Sequence, residues 1–236
     1  MRIRLDFRMR PQLVQYTDSL NAALVAMFTE AGLTSEQVVG EQAFPWTFGM
    51  EAFSAPGRKR RVNSVVISSP HPAFREALPR LEAAKARVRS CNGDVIDGAE
   101  ARIQPCDDLA PGANEIMIGF ISPFILPAAK EGKAKTRFHE ELPVAEAPAA
   151  LKAGLNRRAG RELDLEIVID PLTARTDGRR KHLIHIRRFP NGRSMILPGF
   201  AAPLTLRGDP EDVRFAYLAG FGAKTRAGNG CPALMS

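Results

Sequence analysis

Leu204 to Gly230 reads LTLRGDPEDVRFAYLAGFGAKTRAGNG, a strand, a capped helix and a glycine-rich loop in immediate succession. The strand is predicted over Ala202 to Arg207. Asp209-Pro210-Glu211 then supplies a capping side chain, a proline at the first helical position and an acidic first turn, so a short helix is expected to about Ala219. From Gly220 to Gly230, four glycines fall within eleven residues, with Lys224 and Arg226 between the two pairs. Gly220, Gly222, Gly228 and Gly230 let the backbone turn through positive φ and come close to a ligand. Successive exposed amides can form an anion nest there, with Lys224 and Arg226 adding charge, and phosphate is the guest that fits. A P-loop is excluded because Ala223 stands where its last glycine should be. A dinucleotide fingerprint is excluded because Thr225 replaces its third glycine and a helix precedes the loop. A helix C-cap and turn is the plainer reading of the same glycines.

Outward from this stretch, the chain alternates strands and helices in a repeated order. In the first half, RIRLDFR at residues 2–8 puts Ile3, Leu5 and Phe7 on one side, the period of a half-buried strand. A helix follows, capped by Thr17 or Asp18, carrying Leu20, Ala23, Leu24, Met27 and Phe28 at helical spacing and ending at Gly32. Phe44 to Phe53 and Arg61 to Ser68 form a strand pair across the basic turn SAPGRKR, a second helix is predicted at Pro72 to Val88, and a fourth strand at Asp94 to Ile103. The second half repeats the order after a turn-rich stretch at Pro105 to Ala113. Glu115 to Leu126 (EIMIGFISPFIL) is its first strand, a helical region broken by Pro143 and Pro148 spans His139 to Ala159, and strands follow at 163–169, 181–188, 194–197 and 202–207, with Asn191-Gly192 as a hairpin turn. The expected fold class is α+β, two tandem ferredoxin-like β-α-β-β-α-β domains with a C-terminal glycine-rich loop. Residues 1–108 form the N-terminal domain, and residues 109–236 the C-terminal domain with a helical insertion at about 139–160.

The 33 basic and 26 acidic residues of the 236-residue chain give a net charge of +7, which points to a polyanionic partner. The whole surplus lies after Asp170: residues 1–170 carry 22 of each sign, whereas 171–236 carry 11 basic and 4 acidic residues. No apolar run approaches the ~18 residues of a membrane span and MRIRLDFRMR lacks the apolar core of a signal peptide, so a cytoplasmic protein without a membrane partner is expected. Cys91, Cys106 and Cys231 show no metal-ligand or CxxC spacing and read as free thiols, with no metal and no cofactor implied.

LAGFGAKTRAGNG at Leu218 to Gly230 resembles the C-terminal signature of the CRISPR-associated repeat RNA endoribonucleases, the sixth Cas family: Gly, hydrophobic, Gly, five residues, Gly, hydrophobic, Gly. Asn229 takes the place of the second hydrophobic residue. The resemblance extends to the MRIRLDF opening, to Phe44 to Phe53 before a basic turn, to ISPF at Ile121 to Phe124, and to Leu204 to Gly222. It implies two ferredoxin-like domains and metal-independent cleavage of precursor CRISPR RNA within its repeats, the 2′-hydroxyl attacking the phosphate to give 2′,3′-cyclic phosphate and 5′-hydroxyl ends. The partners it implies are precursor and mature CRISPR RNA and other subunits of an effector complex. Many relatives place a histidine in or just after the first helix, but Asn21 to Met50 holds neither His nor Tyr. The resemblance is therefore to a divergent member of the kind met in type IV systems, and the alternative to an enzyme is a non-catalytic CRISPR RNA-binding subunit.

The candidate catalytic residues are Lys224 and Arg226, acting electrostatically, with Tyr16 before the first helix and His139 within KAKTRFHEE. Tyr16 also reads as an interfacial aromatic and His139 as a surface histidine. His71, between two prolines, reads as a turn, and His182 and His185 face opposite sides of a strand. Candidate RNA contacts are Arg58, Lys59, Arg60 and Arg61 on the first hairpin, Arg157, Arg158 and Arg161 near the middle helix, Arg179, Arg180, Lys181, Arg187 and Arg188 flanking a strand, and the four loop glycines. Together they could track the phosphates of a repeat hairpin.

Overall fold

A computed structural model describes residues 1–56, 59–90, 93–106, 109–128, 137–174 and 181–235. In the first half, β1 (Arg2–Asp6), β2 (Gln12–Val14), β3 (Thr47–Ser54), β4 (Arg60–Ser68) and β7 (Arg102–Pro105) form an antiparallel sheet, whose helical partners are α1 (Thr17–Glu30), α2 (Ser35–Val39) and α3 (Pro72–Ala77). β3 pairs with one side of β4; on the other, β2 meets Arg60–Val62 and β1 meets Ser64–Ser68, with β7 beyond β1. Counting β1, β3, β4 and β7 as strands one to four, the order is 4-1-3-2, that of a ferredoxin-like fold. The alternation in β1 works as expected: Ile3, Leu5 and then Phe7 enter a core with Leu24, Phe28, Trp46 and Phe74.

In the second half β8 (Glu115–Phe120), β9 (Leu165–Ile169), β12 (Leu204–Gly208) and β13 (Pro232–Leu234) give the sheet β13-β8-β12-β9, again 4-1-3-2, with α4 (Ala147–Ala159) and α5 (Pro210–Ala219) as its helices. A separate core of Ile118, Phe124, Leu151, Leu206, Val213 and Phe221 fills the space between them. β10 (His182–Arg188) and β11 (Ser194–Gly199) stand outside both sheets as a hairpin, with Gly192 at φ 79° in its turn. Ile184 and Ile186 pack with Ile125 in a third small cluster. Among the described residues no helix is long and apolar enough to cross a membrane.

Several elements differ from the sequence expectation. The helix expected over Pro72 to Val88 ends at Ala77, because Pro79 has no N–H for the helical ladder and its ring crowds the preceding turn. The chain continues through 3-10 turns at Leu78–Arg80 and Ala83–Lys85 into β5 (Arg87–Arg89), which pairs with β6 (Val95–Asp97), so the fourth sheet strand is β7 alone. β8 stops at Phe120, before the Ser122-Pro123 corner. Pro148 sits in the first turn of α4, where no ladder N–H is needed, and thus begins that helix where a break was expected. α1 has no side-chain cap on its own chain segment. The Asp94 carboxylate accepts instead from the amides of Gln15 and Tyr16 and from the Ser19 hydroxyl.

Candidate nucleic-acid interface

The glycine loop is the seam between the two halves. Gly220, Gly222, Gly228 and Gly230 all have φ between 65° and 83°, and each lies so close to a neighbour that a side chain would collide. A Cβ at Gly228 would lie 2.8 Å from the Phe48 ring, one at Gly220 would lie 2.8 Å from the Thr47 side chain, and one at Gly230 would overlap the Phe221 carbonyl. The loop amides are also largely committed. Phe221 N–H donates to Gly230 (2.9 Å), Ala223 to Ile125 (2.8 Å), Ala227 to Lys224 (2.9 Å), Gly228 to Thr225 (3.0 Å) and Gly230 to Pro123 (2.9 Å). The expected succession of exposed amides is therefore absent at these positions. The glycines serve close packing, and what the loop can offer a phosphate is its side chains.

Three anchors set the loop in place. The Arg158 guanidinium of α4 donates to the carbonyls of Gly222 (2.9 Å) and Gly220 (2.7 Å). Burial, aided by repulsion from Arg157, lowers it to about 10, so it stays charged at neutral pH while its donors point inward. From the first half, Thr47 Oγ1 donates to Asn229 O (3.0 Å) and Asn21 Nδ2 donates to Arg226 O (2.6 Å). Arg226 returns the contact through Nη1 to Gly40 O (2.9 Å), and burial lowers its pKa. Lys224 is exposed at φ 56°, ψ 37°, immediately before a 3-10 turn at Thr225–Ala227.

Lys224 and Arg226 line two clefts beside the loop. The smaller, about 320 Å³, is bounded by Asp18 and Asn21 of α1, Val39 of α2, and Ile186, Arg187 and Met195 of the hairpin. Arg187 Nε lies 3.6 Å from Asp18 Oδ2, and burial raises the Asp18 carboxyl above its usual range. The larger, about 580 Å³, is walled by Glu41 to Pro45, His71, Gly154, Arg157 and Arg158. His71 caps α3, its Nδ1 accepting from Ala73 N–H at 3.2 Å, and stacks on Phe44 with ring centroids 3.5 Å apart. Its proton therefore belongs on Nε2, and burial lowers its pKa.

The structure thus brings together Lys224, Arg226, Arg157, Arg158 and Arg187 and disperses the other candidates. Tyr16 is buried at 4% exposure, its hydroxyl 3.0 Å from Ser194 Oγ and its ring edge-on to His185, the interfacial alternative. His139 lines neither cleft; its amide donates to Leu126 O at 3.0 Å. Arg161 pairs with Asp212, Lys181 with Glu140 at 2.6 Å, and Arg60, the first residue of β4, lines a separate cavity with residues of β10. Lys59 precedes β4, Arg61 is on β4 and Arg188 on β10, and none of the three lines either cleft; Arg58, Arg179 and Arg180 lie outside the described residues. Cys106 and Cys231 are free thiols, Cys231 buried and pushed up to about 11; Cys91 lies outside the described residues. Among the described residues no group of three or more His, Cys, Asp or Glu could hold a metal ion. Sequence reasoning missed Asp18, Asn21 and His71 as cleft residues. For His71 a signal existed: a polar residue before Pro72 and an apolar run is a helix-capping pattern.

Two 4-1-3-2 sheets in tandem, with a glycine loop at their seam that places cations beside paired clefts, define the class: a double ferredoxin-like protein. Residues 107–234, more than half of the chain, match the family described as CRISPR associated protein Cas6, C-terminal. The chain belongs to the Cas6 family. No curated protein matches it in sequence. Among solved structures it is similar to "An RAMP protein binding different RNA substrates" (TM-score 0.67, 17% identity, 100% of both chains covered). It is also similar to "CRISPR associated protein Cas6" (0.63, 18%, 100% of this chain and 99% of that one) and to the product of a Cas6-related gene from Pyrococcus furiosus (0.62, 16%, 100% and 98%). At these identities the likeness is one of fold.

Proposed function

We propose that this chain, with residues 1–108 and 109–236 as its two domains, binds the repeat of a precursor CRISPR RNA across the two clefts and cleaves it without a metal. The observation that carries the reading is the placement of Lys224 and Arg226, which line both clefts in a chain of the Cas6 family. The solved structure of similar fold described as a RAMP protein binding different RNA substrates supports RNA as the ligand. The 2′-oxygen upstream of the scissile bond attacks phosphorus as its proton leaves, the P–O5′ bond breaks, and O5′ takes up a proton. The products are a 2′,3′-cyclic phosphate and a 5′-hydroxyl. Lys224, on the rim of both clefts, faces the charge that builds on the phosphorane, and Arg226 and Arg157 hold the flanking backbone. Mature CRISPR RNA and further effector subunits are the partners that follow. A second reading, an RNA-binding subunit that does not cut, is favoured by the tied Tyr16 hydroxyl and the occupied Nδ1 of His71.

A labelled cognate repeat incubated with the protein in EDTA separates the two. The expected result is a shortened RNA ending in a cyclic phosphate, with Lys224→Asn slowing cleavage about a hundredfold. Tight binding with the RNA left intact would leave only the second reading.

A further inference from the structure

Apart from both clefts, a cavity of about 230 Å³ lies where β4, the start of α1, the Ile121–Pro123 corner and β10 meet, with Gly228 in its wall. Two of its lining side chains are anomalous for a protein interior. Thr17 is fully buried and its Oγ1 has no hydrogen-bond partner among the described residues. The same holds for Nη2 of Arg60, which is sealed from solvent without a partner. The charge acting on Arg60 is that of Asp94, whose Oδ2 is already shared by the amides of Gln15 and Tyr16 and the Ser19 hydroxyl. Asp94 is not on the cavity wall, and no carboxylate is, among the described residues. The remaining polar lining consists of Ser122, whose hydroxyl donates to Phe48 O at 3.3 Å, and His182 at the rim. α1 begins here too, without a side-chain cap from Tyr16.

A buried donor without an acceptor destabilises a fold, and a sealed guanidinium N–H with no acceptor does so more strongly than a hydroxyl. Valine in place of Thr17 would fill the same volume without that cost. The wall therefore lacks one thing, an acceptor carrying negative charge, and the cavity is large enough for it. We propose that the cavity is a phosphate subsite, filled by one phosphate of a single-stranded stretch of the bound RNA, with the Arg60 guanidinium as its counter-charge and the Thr17 hydroxyl as its second donor. This rests on the RNA-binding reading above and extends it: the strand passes beyond the clefts, over the first hairpin, to the far side of the glycine loop. The cation it uses looked in sequence like one of four on a solvated turn.

The test uses the full chain in two arms. In the first, labelled repeat RNA is titrated against wild type, Arg60→Ala, Arg60→Lys and Thr17→Val at several salt concentrations, with the melting temperature of each protein measured alongside. Thr17→Val, which is isosteric, should melt higher yet bind several-fold more weakly. Arg60→Ala should bind about tenfold more weakly with a salt slope shallower by about one, and Arg60→Lys should recover part of the loss. If Thr17→Val melts higher while all three variants bind and respond to salt as wild type does, the cavity is a packing fault and the proposal fails. In the second arm inorganic phosphate alone is added. A protein that binds no repeat RNA overturns the functional reading, and the phosphate arm then decides the cavity: a rise in melting temperature for wild type and not for Arg60→Ala supports a site for free phosphate, whereas equal rises sink it.

Discussion

Lys224 is the only non-glycine residue at positive φ among those described. A left-handed conformation costs an ordinary residue on the order of 1 kcal/mol, and asparagine least among residues with a side chain. Lys224→Asn is therefore expected to leave unfolding stability within about 1 kcal/mol of wild type while it weakens repeat binding. Gly230→Ala is expected to lose roughly 2 kcal/mol or more, because both its φ of 65° and the Phe221 carbonyl oppose a side chain. Urea unfolding followed by Trp46 fluorescence measures both; equal losses in the two variants would refute the division between a strained functional residue and a packed structural one. Much of the loop was legible at this scale, since glycine spacing marks positive φ. What the spacing could not distinguish is a glycine facing a ligand from one facing Phe48 or Thr47. Nor could it show that Arg158 and Arg226 bond carbonyls of the opposite wall, since their acceptors lie 62 and 186 positions away in sequence.

Among the elements, α5 was the most legible. Asp209 accepts from the amides of Glu211 and Asp212 as a cap should, and the helix ends at Ala219 before Gly220. Its first turn also carries Asp212, nearly buried, paired with Arg161 and accepting from Asp164 N–H at 2.7 Å. The Arg161 hydrogen bond, supported by that amide, holds the Asp212 carboxyl below its usual range. A carboxyl whose pKa is depressed on folding adds stability that is complete above its unfolded value, about 4, and disappears as pH falls through the lower folded value. Arg161→Ala should thus be less stable than wild type at pH 7, with the gap closing below about pH 4. A gap in urea midpoints that stays constant down to pH 2.5 would show that the ion pair is not its source. The other elements were legible where periodicity was local. The 72–88 helix failed at Pro79 because an apolar stripe continues through a break that only the missing N–H enforces.

For the whole molecule, the +7 surplus of the last 66 residues is partly consumed inside the protein. Arg226 and Arg187 reach Gly40 and Asp18 of the first half, and from the other direction Arg2 donates to Pro232 O at 2.5 Å and lies 4.5 Å over the Tyr217 ring. Net charge points to the half of the chain that carries the glycine loop and overstates how much of that half faces outward. With this many buried ties between them, the halves should unfold as one. Trp46, the single tryptophan, reports the first core, and far-UV circular dichroism reports both. Coincident urea transitions are expected, and a tryptophan transition well separated from the dichroism change would mean that the seam does not couple the two cores.

The β10–β11 hairpin leaves the second sheet after Ile169 and the chain rejoins it at Leu204, and these two residues are partners in the β9–β12 register, with Asp170 N–H donating to Pro203 O at 3.0 Å just outside. The excursion is closed at its base, so its length and charge can change over evolutionary time without moving a strand pairing in either 4-1-3-2 order. The fold thus keeps its scaffold constant and concentrates room for divergence in one arm, away from the Arg187 and Ser194 side chains that meet the first half.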